Sequence, residues 1–315
     1  MDNIHDIVII GGGPAGLTAG LYAARARMNV LLLEKAMPGG QILITDRVEN
    51  FPGFPDGVSG PELAGLMEKQ ALGFGLTIKT CDASGIIPAS NGKPFGVKLS
   101  DGNTLQTLSV IVATGASWNK LGIPGEKELT GRGVSYCATC DGPLFKGKEV
   151  IVVGGGDTAI EDGLFLAKFA KKVTIVHRRD RFRAAKILQE RASAGKNVEF
   201  CMNSIALEIM GKSKVEGIKV KDVNNSAVKE IKADGVFIFV GITPNSDIAK
   251  PLVKLDDSGY IVTGGNMETS VDGIFACGDV RRKVLRQVVT ATGEGASAAV
   301  SAQNYVERLK GVEYK

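Results

Sequence analysis

A glycine-rich turn near the start of the chain constrains its fold more than any other feature. Residues 7–10 are consecutive apolar residues, as in a buried parallel strand, and residues 17–27 have the pattern of a helix. The turn between them consists of Gly11, Gly12, Gly13, Pro14, Ala15 and Gly16. Glycines at this spacing permit a tight turn and the approach of a pyrophosphate, and the amides at the helix start bind an anion. The segment therefore predicts a dinucleotide site; a glycine-rich turn without a ligand is the alternative.

The same unit recurs in the middle of the chain. Residues 149–153 have the pattern of a strand and residues 160–170 that of a helix. The turn between them consists of Gly154, Gly155, Gly156, Asp157, Thr158 and Ala159. Ala159 replaces the third glycine, which this pattern allows. Two such units predict an α/β protein with two Rossmann-like dinucleotide-binding domains.

The two units differ at the end of their second strand, where a dinucleotide meets its ribose. Glu34 lies 23 residues after Gly11, and His177 lies 23 residues after Gly154. A carboxylate accepts hydrogen bonds from a ribose diol and repels a phosphate, whereas arginine pairs with phosphate. Arginines follow His177 at positions 178, 179, 181 and 183. The first site is therefore expected to take FAD or NAD and the second NADPH. The alternatives are a solvated basic turn and a purely structural His177.

A pair of cysteines lies just before the second unit. Cys137 and Cys140 are separated by two residues, so they can close and reopen a small disulfide ring, and Asp141 follows as a candidate proton donor and acceptor. Zinc binding is the alternative. Zinc usually requires four ligands, and the remaining cysteines and histidines form no second pair. A redox-active dithiol is the favoured interpretation.

The composition indicates the cellular compartment, and the C-terminal part contains a further group of candidate ligand-binding residues. The chain of 315 residues has 41 glycines and a net charge of +4, which gives little indication of nucleic-acid binding. It has no apolar run of ~18 residues, and Met1–Asp6 do not resemble a signal peptide. Five cysteines, three without a partner in sequence, fit a reducing cytosol. Gly278 and Asp279 follow an apolar strand, where a carboxylate suits a sugar or ribityl hydroxyl. Residues 293–309 have the pattern of a helix. Because both glycine turns precede this strand and helix, the C-terminal part is expected to complete one of the two units. The basic residues 281, 282, 283 and 286 form either a solvated face or a ligand contact.

Taken together, these motifs closely resemble those of the low-molecular-weight thioredoxin reductases, which are flavoprotein disulfide reductases. The resemblance covers essentially the whole chain. It rests on residues 11–16, 38–41, 48–55, 113–115, 133–142, 154–159, 177–184, 276–279, 286–287 and 292–295. Thr158, where many members have serine, is a mild departure.

The resemblance implies a domain arrangement and a role for each motif. A discontinuous FAD-binding domain spans 1–117 and 246–315, and an NADPH-binding domain at 118–245 is inserted into it and carries the cysteine pair. Glu34 would bind the adenosine ribose of FAD. The other residues implied along FAD are Gly40, Gln41, Asn50, Gly115, Gly278, Asp279, Arg286 and Gln287. Those implied at the NADPH phosphate are His177, Arg178, Arg179 and Arg183.

The implied reaction passes a hydride from NADPH through FAD to the Cys137–Cys140 disulfide, which then reduces thioredoxin. Cys140 would face the flavin, Cys137 would attack thioredoxin, and Asp141 would act as acid and base. The family also implies a cytoplasmic homodimer. Three rival hypotheses share the fold: a reductase that takes electrons from ferredoxin, a flavin oxidase or monooxygenase with a structural cysteine pair, and a non-catalytic redox sensor. The second glycine turn with its arginines argues against the first, and Asp141 with the nearby glycines argues against the second. Retention of every cofactor motif argues against the third.

Overall fold

The computed structural model describes residues 4–45, 47–90 and 93–312, which cluster into two compact units. Unit 1 contains residues 4–45, 51–90, 93–117 and 243–312, and unit 2 contains residues 47–50 and 118–242. Met1, Asp2 and Asn3, on which the expectation of no signal peptide partly rests, lie outside the described residues. Within the described ranges, no helix has the length and hydropathy that a bilayer-spanning segment requires.

Strands and helices alternate around the two glycine turns, and runs of consecutive strands occupy much of the rest of the chain. The strands are β1 (His5–Ile10), β2 (Val30–Glu34), β3 (Thr77–Thr80), β4 (Ala83–Ile87), β5 (Phe95–Leu99), β6 (Thr104–Val112), β7 (Ala116–Trp118), β8 (Val134–Ser135), β9 (Glu149–Gly154), β10 (Lys172–Val176), β11 (Val198–Cys201), β12 (Ser204–Met210), β13 (Gly217–Asp222), β14 (Val228–Lys232), β15 (Gly235–Phe239), β16 (Ile242–Pro244) and β17 (Ile274–Ala276). The α-helices are α1 (Pro14–Arg25), α2 (Gly60–Gly73), α3 (Ala138–Asp141), α4 (Asp157–Leu166), α5 (Lys186–Ala194) and α6 (Val288–Lys310). Short 3-10 helices span Gly40–Ile44, Gly142–Phe145 and Gly278–Val280.

Unit 1 is built on a parallel sheet with an antiparallel extension. Strands β3, β2, β1, β6 and β17 are parallel neighbours in that order, and β4 and β5 extend the sheet antiparallel from β6. The central strand β1 is apolar and buried over residues 7–10, as its sequence predicts. Helices α1 and α6 contribute small residues to the core on one face of this sheet, which lets their backbones approach closely. This sheet brings the C-terminal ends of β1, β2 and β17 to one edge.

Unit 2 repeats the parallel arrangement. Strands β11, β10, β9, β15 and β8 form a five-stranded parallel sheet in that order, and β12, β13 and β14 form a separate antiparallel sheet. The strand, turn and helix of each glycine motif are present, as β1 and α1 in unit 1 and as β9 and α4 in unit 2. Both helices begin and end earlier than predicted, since α1 spans Pro14–Arg25 and α4 spans Asp157–Leu166. The α/β fold with two Rossmann-like units is therefore confirmed.

Helix α6 begins earlier than its sequence predicts. The pattern of apolar residues predicts a start at Gly293, but the helix begins at Val288. Gln287 caps it: its side chain accepts from the backbone of Thr290, whose hydroxyl in turn accepts from the Gln287 backbone N–H. Gln287, which was expected along the cofactor, is therefore also the residue that starts this helix.

Candidate active site

The first glycine turn joins β1 to α1 in a conformation that only glycine accommodates. Gly11 has φ +109°, a left-handed conformation that disfavours residues with a Cβ. A Cβ on Gly16 would collide with the carbonyl oxygen of Gly11, so the helix can approach the turn only without a side chain there. A Cβ on Gly13 would meet no protein atom within 4 Å. Gly13 is also the N-cap of α1 and supplies no side-chain cap, so the amides of the first helical turn remain available to an anion.

Glu34 closes one side of this turn. One of its carboxylate oxygens accepts the backbone N–H of Gly12 at 2.7 Å, and the other accepts the N–H of Ala36 at 3.0 Å. The carboxylate thus stands beside the glycines, where a ribose diol of a bound dinucleotide requires an acceptor. Its negative charge opposes a phosphorylated ribose.

Other residues expected along FAD are brought to the same turn. The N–H of Gly39 donates to Gly12 O at 2.8 Å, and a Cβ on Gly40 would lie 3.1 Å from the Gly13 Cα. The next residue, Gln41, donates its side-chain amide to the carbonyl of Ala116. Gly278 packs against Ala15, since a Cβ on Gly278 would lie 2.9 Å from the Ala15 Cβ. The structure therefore gathers the segments around residues 11–16, 34, 40 and 278 at one edge of the sheet.

The basic cluster after Gly278 is held by carboxylates. Arg281 pairs with Glu294 at 2.8 Å, and the nearly buried Lys283 lies 2.8 Å from Asp279 and 3.4 Å from Glu294. Glu294 also accepts the N–H of Gly278 at 2.8 Å. Two of the four basic residues, Arg281 and Lys283, therefore form an internal ion-pair network, a role that neither sequence interpretation included. The sequence pattern missed Lys283 and Glu294 as partners because they lie on separate segments.

Arg286 is placed by an aromatic ring. Its guanidinium carbon lies 4.2 Å from the centroid of the buried Tyr260 ring, which is a cation–π contact. Burial raises the pKa of Tyr260, so the ring carries a neutral hydroxyl at neutral pH.

Two further residues expected along FAD are Gly115 and Asn50. The backbone carbonyl of Gly115 accepts the N–H of Asn245 at 3.0 Å. Asn50 falls in the segment that clusters with unit 2, and its place along FAD stays a prediction.

The second glycine turn repeats the geometry of the first with a different partner. Gly156 is the N-cap of α4 without a side-chain cap, and a Cβ on Gly156 would meet no protein atom within 4 Å. The His177 ring lies against Gly155, at the position that Glu34 occupies against Gly12 in the first unit. Burial lowers the pKa of His177, so its imidazole is neutral at neutral pH. The charge of this turn therefore comes from the arginines.

A cavity of about 400 Å³ lies over this turn. Its lining includes Gly154, Gly155, His177, Arg178 and Arg183. The backbone N–H of Arg183 donates to Gly155 O at 2.8 Å, which brings that arginine to the turn. Arg179 does not line the cavity, and Gly156, Asp157 and Thr158 lie outside the lining in the first turn of α4.

Two further segments line this cavity and were not identified from the sequence. They are residues 119–121 and residues 204–206. The second follows directly from β11, and the Ser204 N–H donates to the His177 carbonyl at 2.8 Å. The only available sequence signal was their position after strand ends, which is too general to single them out. Lys120 adds a positive charge to the lining that the arginine motif does not contain.

The two cysteines of the Cys-x-x-Cys motif form a disulfide. Cys137 and Cys140 are bonded, with their Cα atoms 5.3 Å apart. Cys137 is the N-cap of α3, and its sulfur accepts the backbone N–H of Cys140 at 3.2 Å. Ser135 holds the segment before it, because its hydroxyl accepts the Cys137 N–H at 3.1 Å. Both cysteines of the pair are half-buried. Cys81, Cys201 and Cys277 are free thiols. Asp141 directly follows the pair in the last turn of α3.

The first glycine turn, the second glycine turn and the cysteine pair together correspond to a family of known proteins. The family model for pyridine nucleotide-disulphide oxidoreductases matches residues 5–295. Thioredoxin reductase of Bacillus subtilis (strain 168) is 48% identical over 310 residues, which cover 98% of this chain and 97% of that protein. Thioredoxin reductase of Peptoclostridium litorale is 49% identical over 315 residues, which cover 98% of this chain and 99% of that protein.

A solved structure agrees with these relatives. The crystal structure of thioredoxin reductase from Streptococcus pyogenes MGAS5005 superposes with a TM-score of 0.93 at 44% identity, and the match covers 98% of this chain and 100% of that one. The resemblance drawn from the sequence motifs is therefore confirmed. With a redox disulfide, two dinucleotide turns and relatives of this similarity along nearly its whole length, the chain belongs to the thioredoxin reductase family of the pyridine nucleotide-disulphide oxidoreductases.

Proposed function

We propose that this chain is an FAD- and NADPH-dependent reductase that reduces the disulfide of thioredoxin or a thioredoxin-like protein. The observation that carries the proposal is the half-buried Cys137–Cys140 disulfide in a chain with two dinucleotide turns. The turns differ in charge, with Glu34 at the first and arginines at the second. A disulfide alone would be compatible with a structural role, whereas a disulfide with both turns supports electron transfer from a nucleotide.

The residues of each turn support one cofactor. In unit 1, the uncapped N-terminus of α1, the open face of Gly13 and the Glu34 carboxylate fit the pyrophosphate and the unphosphorylated ribose of FAD. In unit 2, Arg178 and Arg183 in the cavity lining fit the phosphorylated ribose of NADPH. We assign residues 1–117 and 246–315 to FAD binding and residues 118–245 to NADPH binding.

The chemistry follows from the dithiol. FAD, held by the first glycine turn and Glu34, would supply the chemistry that moves an electron pair from NADPH to the disulfide. Uptake of that electron pair and two protons breaks the Cys137–Cys140 bond and leaves two thiols. Cys137, as thiolate, attacks the disulfide of the substrate and releases one substrate thiol, for which Asp141 is the proposed proton donor. Cys140 then attacks the mixed disulfide, which restores the Cys137–Cys140 bond and releases the fully reduced substrate.

An anaerobic titration with NADPH, followed by flavin absorbance, tests this function. The wild-type protein is expected to take up two hydride equivalents, one for the flavin and one for the disulfide, and oxidised thioredoxin is expected to restore the flavin colour. The Cys140→Ser variant, which retains FAD, is expected to take up one. Uptake of one equivalent by the wild type would favour an oxidase with a structural disulfide. No uptake from NADPH, with bleaching by a ferredoxin-type donor, would overturn the nucleotide assignment.

Location and assembly belong to the same proposal. Cys81, Cys201 and Cys277 are free, which fits a reducing compartment such as the cytosol. Membership of the family supports a homodimer. Analytical ultracentrifugation of the FAD-loaded protein tests the dimer, and a mass near that of one chain would contradict it.

A further inference from the structure

One buried carboxylate in unit 2 contacts both the nucleotide cavity and the segment that precedes the disulfide. Glu126 is 3% exposed, and among the described residues no lysine or arginine forms an ion pair with it. Its charge is instead balanced by three hydrogen bonds, from the N–H groups of Leu121 and Gly122 and from the hydroxyl of Tyr136. A buried carboxylate is costly unless such donors surround it, so this arrangement ties its three partners together.

The first contact reaches the nucleotide cavity. The N–H of Leu121 donates to Glu126 Oε1 at 3.0 Å, and that of Gly122 donates to Oε2 at 2.7 Å. Leu121 lines the cavity together with its neighbours Asn119 and Lys120. Gly122 has φ +70°, which lets two successive amides face one carboxylate. The carboxylate thus sets the path of one cavity wall.

The second contact links Glu126 to Tyr136, the residue that precedes the disulfide. The Tyr136 hydroxyl donates to Glu126 Oε1 at 2.8 Å. The Tyr136 ring is 7% exposed and stacks on Trp118, with ring centroids 5.3 Å apart. Burial, followed by the hydrogen bond to Glu126, raises the pKa of Tyr136, so the hydroxyl remains a donor at all pH values relevant to function. Tyr136 is bonded directly to Cys137, so its side chain fixes the backbone that presents that sulfur.

We propose that Glu126 is a positioning residue that orients two parts of the reaction from one carboxylate: the cavity wall at Leu121 and, through Tyr136, the Cys137 sulfur. The proposal rests on the proposed function for its meaning, because it concerns the nucleotide and the dithiol of that reaction. Glu126 itself contacts neither the nucleotide nor the dithiol, but it holds the two segments that do.

The test uses two variants and two measurements that require no turnover. The affinity for NADP⁺ is measured on the FAD-loaded protein by calorimetry. The rate of Cys137 alkylation by iodoacetamide is measured against pH after reduction by dithiothreitol, with the modified peptide followed by mass spectrometry. Glu126→Gln turns one acceptor oxygen into a donor, so at least one of its three hydrogen bonds is lost. Tyr136→Phe removes only the hydroxyl.

Glu126→Gln is expected to weaken NADP⁺ binding roughly tenfold, because a backbone amide of the cavity wall loses its acceptor. Its alkylation rate is expected to stay within about twofold of wild type, because the Tyr136 hydroxyl keeps a partner on the glutamine, either by donating to its oxygen or by accepting from its amide group. Tyr136→Phe is expected to change the alkylation rate at neutral pH by about threefold or more and to shift its pH midpoint, while NADP⁺ affinity stays within about twofold of wild type. That separation distinguishes the two arms of the carboxylate.

A third variant controls for general destabilisation. Ile218→Val removes one methyl group from the same buried cluster of unit 2 and is expected to leave both measurements within about twofold of wild type. The proposal is overturned if Glu126→Gln leaves the NADP⁺ affinity unchanged, or if Ile218→Val produces the same changes. If Glu126→Gln does not fold, Tyr136→Phe decides, since unchanged alkylation there also overturns it. A failed NADPH titration of the wild type would concern the proposed function and not these measurements.

Discussion

At the scale of single residues, the two glycine turns differ at one position that is expected to select the ligand. Glu34 and His177 occupy equivalent places against Gly12 and Gly155. The carboxylate accepts hydrogen bonds and repels phosphate, whereas the imidazole is neutral and leaves the charge of the second turn to its arginines. This equivalence was predictable because it depends only on the spacing from a glycine turn whose geometry is local.

The arginines of the second turn are expected to differ in importance. Arg178→Ala and Arg183→Ala are each expected to lower kcat/KM for NADPH by about 10- to 100-fold, because each removes a charge-assisted contact to the ribose phosphate. The kcat/KM for NADH should change little. Arg179, which does not line the cavity, is the matched control, and Arg179→Ala is expected to have the smaller effect. Steady-state kinetics with both nucleotides measure this, and equal losses for NADPH and NADH would contradict a phosphate contact.

The glycines of the first turn provide a matched pair. Gly16→Ala is expected to lower the free energy of unfolding of the apoprotein by about 1–3 kcal/mol, because its Cβ collides with the Gly11 carbonyl. Gly13→Ala is expected to lower it by less than about 1 kcal/mol, because its Cβ meets no protein atom and the remaining cost is that alanine is a poorer N-cap than glycine. Gly13→Ala is instead expected to weaken FAD binding about tenfold or more, since the methyl group occupies the path of a pyrophosphate. Urea denaturation and flavin fluorescence measure the two effects, and unchanged FAD affinity in Gly13→Ala would contradict the assignment.

Residues whose partners follow no recognisable sequence spacing could not be predicted. Glu126 depends on donors from residues 121, 122 and 136, and Lys283 depends on Glu294 in α6. Neither residue lies in a motif with fixed spacing, so only the folded chain brings the partners together. The cofactor roles of the individual site residues remain predictions, to which the substitutions above are directed.

At the scale of elements, the strands and the helices of the glycine turns were predictable because their apolar periodicity is strong. The start of α6 was not, because its cap is a glutamine paired with Thr290, and glutamine is not a typical N-cap residue. Helix α4 carries a different anomaly. Burial, with a smaller contribution from the neighbouring Glu161, raises the pKa of Asp162 from 3.8 to about 6.

This anomaly predicts how stability depends on pH. Between pH 4 and 6, the folded protein binds more protons at Asp162 than the unfolded chain, so the free energy of unfolding falls as pH rises through this range. Asp162→Asn is therefore expected to stabilise the protein at pH 7.5 by up to about 3 kcal/mol and much less at pH 4. The exposed Glu161 is the control, and Glu161→Gln should give a smaller gain. Thermal melts at both pH values measure this; a gain independent of pH would show that charge burial is not the cause.

At the scale of the whole molecule, the two units differ in continuity. Unit 2 is one long stretch, residues 118–242, with the short segment 47–50, whereas unit 1 is assembled from stretches on both sides of it. Unit 1 is completed by residues 243–312, and β17 from that segment pairs with β6. From the sequence, the position of both glycine turns before the last strand and helix predicts that this C-terminal part completes one of the two units. Which residues belong to which cofactor is a separate question that ligand protection can answer.

Hydrogen exchange of the apoprotein with each ligand alone is expected to map the two cofactors onto the two units. A ligand at 100 times its Kd stabilises its binding unit by about 2.7 kcal/mol and so slows exchange there by up to about 100-fold. FAD should protect peptides that contain residues 11–34 and 278–295, and NADP⁺ should protect those that contain residues 154–183. Arg183→Ala is the matched control, because it should lose protection by NADP⁺ and keep protection by FAD. Protection of residues 11–34 by NADP⁺, or of residues 154–183 by FAD, would reverse the assignment, since the charge difference between Glu34 and the arginines would then not select the ligand.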